Sequence, residues 1–152
     1  MTHPTPSADA FEPGSPIAAA FPAGLATRRQ VMGDAFVERA FSQADEFTDD
    51  LQELVTSFAW GTVWTRPGLA HKERSMITVA MLVALGRQKE LEGHVRGALN
   101  NGVTVDELKE ILLHSAVYCG FPAALEGFRT AQAVIRQWQA EREQPHPPQA
   151  PA

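Results

Sequence analysis

The sequence predicts an all-α domain of six to seven helices. Three observations predict it: apolar residues recur every three or four positions between residues 25 and 140, no stretch alternates polar and apolar long enough to argue a strand, and Gly- or Pro-containing breaks fall at helix-length intervals. Ala26 to Gln43 gives one or two short helices interrupted at Gly33-Asp34. Thr48, followed by Asp49 and Asp50 where the helix dipole favours acids, opens a helix expected to present Leu51, Leu54, Val55 and Phe58 on one side and to stop near Arg66-Pro67-Gly68. From about Ala70 to Leu85, Met76, Ile77, Val79, Ala80, Met81, Val83 and Ala84 cover most of the circumference, so this helix is expected to be central and the most buried, with Gly86 closing it. Gln88 to about Asn100 follows and ends in Asn101-Gly102. Thr104-Val105-Asp106-Glu107 is a capping box that opens a helix with Leu108, Ile111, Leu112, Ser115 and Ala116 on one face. That helix closes at Cys119-Gly120-Phe121-Pro122, and a last one carries Ala124, Phe128, Ala131, Val134, Ile135 and Trp138.

Residues 25–142 therefore read as one helical domain. Residues 1–24, broken by Pro4, Pro6, Pro13, Pro16 and Pro22, and residues 143–152, rich in proline, are expected to be tails, because neither has the apolar periodicity that buries a segment. Charge narrows the function classes. The net charge of -5 comes from interspersed acids and bases, with no basic stripe to neutralise a phosphate backbone, so nucleic acid is an unexpected partner. No apolar run approaches the roughly 20 residues that span a bilayer, and the N-terminus lacks a signal peptide's basic start and apolar stretch. Cys119, the single cysteine, can form no intramolecular disulfide, and a cytoplasmic location is expected.

Candidate chemistry resides in polar groups set among apolar ones. His94 lies on or beside the stripe formed by Leu91, Val95, Ala98 and Leu99, and Glu90 sits one turn earlier, where it could pair with the imidazole and hold it as a general acid. A core-edge histidine satisfied by a carboxylate fits the same spacing. Glu73 suits the positive N-terminal end of its helix, whereas Arg74 opposes that dipole, so either a nearby anion or an ordinary ion pair would explain it. Trp60, Trp64 and Arg66 could line a pocket with aromatic walls and a cation, or pack a core and a turn. His114 is expected at the surface or in a subunit contact, and Cys119 as a small buried hydrophobe.

Taken in order, Thr27-Arg-Arg-Gln-Val-Met-Gly-Asp-Ala35, Ala59-Trp-Gly-Thr-Val-Trp-Thr-Arg-Pro-Gly-Leu69, Arg74-Ser-Met-Ile-Thr78, Glu90-Leu-Glu-Gly-His-Val-Arg96, Asn101-Gly-Val103 and Val117-Tyr-Cys-Gly-Phe-Pro-Ala-Ala124 resemble the carboxymuconolactone decarboxylase family. The resemblance covers about residues 25 to 140, and the Trp-Gly-x-x-Trp-x-Arg-Pro-Gly-Leu stretch is its most specific part. It implies an alkylhydroperoxidase-like helical fold, assembled as a homo-oligomer such as a trimer or hexamer. The peroxidases of that wider group use a Cys-x-x-Cys pair, whereas Arg87 and Glu90 stand at those places here, so thiol chemistry lacks its nucleophile.

The activity implied is conversion of 4-carboxymuconolactone, a small anionic lactone, to the β-ketoadipate enol-lactone and CO2 in protocatechuate catabolism, with no metal or organic cofactor. His94, Glu90 and Arg74 are then the catalytic candidates, and Trp64, Arg66, Glu73 and Tyr118 the substrate-binding ones. After Pro-Ala-Ala the family commonly continues with Asn and a small residue, but this chain has Leu125-Glu126-Gly127, which puts a carboxylate near the expected site or interface. A different small lactone or carboxylate, or a binding protein without catalysis, are the alternatives that this departure leaves open.

Overall fold

Among residues 11, 12 and 14–143, which the computed structural model describes, seven α-helices and one π-helical stretch follow one another without a strand. No helix among them is long and apolar enough to cross a membrane. The first helix, α1, spans Pro16–Met32. The expected tail over residues 1–24 is therefore corrected for residues 16–24, while residues 1–10 and 144–152 lie outside the described residues. Position explains the proline: Pro16 occupies the first turn, where its missing N–H is no loss, and the Ser15 side chain caps the helix by accepting from the Ala18 N–H at 3.1 Å. Gly33, at φ +90°, separates α1 from α2 (Asp34–Ser42) with a conformation that other residues rarely adopt.

Helix α3 (Asp49–Leu54) runs directly into a π-helical stretch, Val55–Val63. The face expected to be buried here is exposed: Leu51 and Phe58 remain 56% and 57% accessible, and Leu54 is exposed as well, while Glu53, Thr56, Ser57 and Trp60 are buried. Two physical causes act together. An i→i+5 register, seen in the Trp64 N–H bond to the Ala59 carbonyl at 3.0 Å, rotates successive side chains away from the α-helical face. The buried Arg28 of α1 also requires acceptors, and it donates through Nη1 to Thr56 Oγ1 at 2.9 Å and through Nη2 to Gln52 Oε1 at 3.0 Å, beneath a Phe41 ring 5.6 Å away. Desolvation by burial lowers the pKa of this guanidinium. The backbones of α1 and the π stretch meet at Gly24 and Gly61, where neither residue has a side chain to hold them apart.

Helix α4 (His71–Ala84) buries Ser75, Val79 and Val83, whereas Ile77 and Met81 are exposed. The expectation of an all-round buried central helix is thereby corrected: one face is buried. Its end is local chemistry, with Gly86 at φ +65° and the Gly86 and Arg87 N–H groups bonded to the Val83 and Leu82 carbonyls. Helices α5 (Gln88–Asn100), α6 (Val105–Cys119) and α7 (Phe121–Glu143) complete the chain. The capping box is formed in both directions, Glu107 N–H to Thr104 Oγ1 at 3.1 Å and Thr104 N–H to Glu107 Oε2 at 2.8 Å. Thr104→Ala is expected to lower stability by about 1 kcal/mol in urea unfolding, the ordinary worth of an N-cap. A change within experimental error would mean that this cap contributes nothing to the folded state.

Contacts divide the chain into two compact units. The first comprises the described residues up to Ser75 together with Asn100–Gly102, and the second Met76–Leu99 with the described residues from Val103 onward. The first is built on Val31, Met32, Val37, Trp60 and Trp64. The second has the larger core, in which Val79, Val83, Leu91, Val95, Leu108 and Leu112 are almost wholly buried. Within the second unit Arg96 of α5 grips Glu141 of α7 through both carboxylate oxygens, and that hydrogen bonding holds the Glu141 carboxyl below its usual range.

Candidate functional site

In the first unit the π stretch delivers an aromatic pair. Trp60 and Trp64, four residues apart, bring their ring centroids to 4.7 Å, and both are buried. Of the two places expected for Trp64, a pocket wall or core packing, it takes the core while presenting its ring to His71 at 6.0 Å. The turn from Thr65 to Ala70 leads to α4, and Arg74, one turn into that helix, donates through Nη2 to the Arg66 carbonyl at 3.1 Å. Trp64, the Arg66 backbone, His71 and Arg74 are thus gathered on one turn and the helix start that follows it. Arg74 is half-buried, whereas Glu73 and the Arg66 residue as a whole are exposed. Behind them Ser75 Oγ donates to the His71 carbonyl at 2.8 Å and accepts from Asn101 Nδ2 at 2.8 Å, which fixes the first turn of α4.

His71 escaped the sequence reading. The signal available was its place directly after the Pro67-Gly68-Leu69-Ala70 turn and three residues before Arg74, which puts an imidazole and a guanidinium on the same helical face. Its partner Trp64 is seven residues away across a turn, and nothing in helical periodicity predicts that contact.

In the second unit α5 presents its expected stripe, with Leu91, Val95, Ala98 and Leu99 buried and His94 half-buried beside them. The expected Glu90–His94 pair is corrected. Glu90 is exposed and forms no hydrogen bond or ion pair with any of the described residues. Four-residue spacing permits such a pair, but solvent satisfies an exposed carboxylate at less entropic cost. On α6, Tyr118 is 76% accessible and its ring lies 4.9 Å from that of His114, one turn earlier. His114 also borders a cavity of about 410 Å³ with Met76, Ala80, Glu110 and Ile111. Cys119 is half-buried and free.

The departure at Leu125-Glu126 has a structural account. Glu126 Oε2 accepts from Gln88 Nε2 at 3.3 Å, and Gln88 Oε1 in turn accepts from Thr130 Oγ1 at 2.8 Å, so this carboxylate joins α7 to the start of α5. Leu125 beside it is exposed.

Comparison with known proteins adds to these observations. Residues 49–133 match the model of the carboxymuconolactone decarboxylase family. The chain is 45% identical over 113 residues to a 4-carboxymuconolactone decarboxylase of Acinetobacter baylyi, an overlap covering 74% of this chain and 84% of the relative. It is 46% identical over 115 residues to the nitrosuccinic acid decarboxylase npaB of Metarhizium robertsii, covering 76% of this chain and 80% of the relative.

Proposed function

The chain belongs to the carboxymuconolactone decarboxylase family, and from that premise we propose that this carboxy-lyase converts 4-carboxymuconolactone to the β-ketoadipate enol-lactone and CO2. The observation that carries the reading is the 45% identity to a 4-carboxymuconolactone decarboxylase across 84% of that protein. A second reading has its own support, since identity to the nitrosuccinic acid decarboxylase is 46%.

The two substrates share a frame. Each has one carbon that bears the departing carboxylate, a CH2-carboxylate arm and a route to an electron acceptor, the lactone carbonyl through a ring double bond in one case and the nitro group in the other. When the C–CO2 bond breaks, its electron pair enters that acceptor, giving a furanolate-like dienolate or a nitronate, and a proton then adds to carbon. The substrate is thus its own electron sink. The protein has to hold two carboxylates, stabilise charge on the acceptor oxygen and deliver the proton. In this reading Arg74 binds a carboxylate, with Arg66 as the second cation, Trp64, Glu73 and Tyr118 contact the substrate, and His94 gives the proton. The place of the reaction is the cytoplasm, in protocatechuate breakdown, where the Cys119 thiol stays reduced.

The test is CO2 release by the purified chain on 4-carboxymuconolactone formed in place by a cycloisomerase, beside nitrosuccinate at equal concentration. Turnover of the lactone at a kcat/KM at least tenfold higher is expected. Preference for nitrosuccinate would replace the first reading with the second, and silence on both would assign the family chemistry to another substrate.

A further inference from the structure

The cavity of about 410 Å³ is lined by Met76 and Ala80, one turn apart on α4, and by Glu110, Ile111 and His114 of α6. Its volume lies within the ~300–1,000 Å³ of small-molecule sites, and all of its lining residues belong to the second compact unit. None of them is used by the reaction proposed above. Met76, Ala80 and Ile111 make apolar walls. The other two side chains are a carboxylate and an imidazole four residues apart, hence neighbours on one helical face.

Neither polar group is spent on the fold. Glu110 forms no hydrogen bond or ion pair with any of the described residues, and the His114 ring nitrogens have no hydrogen-bond partner among them, the ring lying 4.9 Å from that of Tyr118. Glu107 and Asp106, three and four residues before Glu110, share its side of the helix, and the adjacent base Lys109 pairs with Asp106 at 3.8 Å. The Glu110 charge therefore stands uncompensated at the edge of an apolar space.

We propose that this cavity is a binding site for a small primary ammonium carried on an apolar body. Charge selects a cation. No Lys or Arg lines the cavity, so a carboxylate would meet Glu110 with no base to hold it, and the anionic substrates of either reading above are turned away from this place. Hydrogen bonding selects the ammonium. It has N–H donors and no acceptor, a carboxylate is an acceptor alone, and a neutral imidazole has one ring nitrogen that accepts, so the capacities match. Size selects an organic cation over a metal ion. The space far exceeds the ~30 Å³ share of one water, and among the described residues no group of three His, Cys, Asp or Glu could hold a metal. Met76 and Ile111 offer apolar surface instead, and the Met76 thioether suits an aromatic ring.

The experiment titrates the full chain, isotope-labelled in its methionine methyl groups, with benzylammonium chloride and follows the methyl NMR signals. The chain has four methionines, and Met76→Leu assigns the signal that reports on the cavity, while Met32, in the core of the first unit, is the reference. A saturable shift of the Met76 signal is expected with Met32 unmoved, and benzoate is expected to bind at least about tenfold more weakly. Glu110→Gln is expected to weaken benzylammonium binding about fivefold, the worth of an ion pair open to water. Ala80→Leu, which fills the space beside Met76, is expected to abolish the shift while the far-UV spectrum is retained. Glu46→Gln, at an exposed carboxylate of the first unit, is expected to leave binding unchanged. An unmoved Met76 signal, benzoate bound as tightly as benzylammonium, a Met76 response to zinc chloride and not to benzylammonium, or equal weakening by Glu46→Gln would each overturn the inference.

Discussion

Replacing Gly24 with alanine is expected to cost about 3–5 kcal/mol, a large share of the stability of a domain this size. A Cβ built at Gly24 would stand 2.0 Å from the Thr56 carbonyl oxygen and 2.8 Å from the Gly61 nitrogen. Both obstacles are backbone, so no rotamer change relieves them, and α1 would have to move off the π stretch. That displacement would also pull Arg28 away from Thr56 and Gln52, leaving a buried guanidinium without its acceptors. Gly61→Ala should behave alike, because its Cβ would meet the Ala20 carbonyl oxygen at 2.4 Å. The two substitutions break one contact, so their combined cost is expected to fall well short of the sum. Gly68, where an added Cβ would have no heavy atom within 4 Å, supplies the comparison, with Gly68→Ala expected within about 0.5 kcal/mol of the unmodified chain. Denaturant unfolding of the four variants measures all of this. A Gly24→Ala cost below about 1 kcal/mol would show that the helices do not touch through their backbones.

The same contact marks where the sequence stops being legible. Helix ends were readable because they are local: the Thr104–Glu107 box, the Gly86 terminus and the Gly120 break each depend on residues within one turn. The buried face of α3 and the π stretch was not, because it depends on a change of hydrogen-bond register and on Arg28, about 28 residues upstream, a separation that periodicity does not sense. A glycine pair permitting backbone contact across 37 residues is equally invisible to a window of one helix. Proline at residue 16 reads as a breaker by type, yet its position makes it a starter. Site residues divide in the same way. The place of His94 beside the Leu91 and Val95 stripe followed from spacing, whereas the fate of Glu90, the use of Glu126 and the contact of His71 with Trp64 were each decided by partners on another element or by solvent.

That division sets the expected outcome for the catalytic acid. His94→Ala is expected to lower kcat by a factor of about 10²–10⁴, the range that a positioned proton donor contributes. The effect should appear in kcat more than in KM, since the proton is delivered only after the carboxylate has begun to leave. Glu90→Gln is the informative neighbour. An exposed carboxylate with no partner among the described residues should alter kcat by less than about twofold, whereas a pair with the imidazole would make the same substitution costly. Rates of His94→Ala, Glu90→Gln and His71→Ala therefore separate three assignments. Loss in His94→Ala alone supports the acid proposed above. Loss in His71→Ala with His94→Ala intact would transfer the role to the imidazole that faces Trp64, beside Arg74 on the first turn of α4.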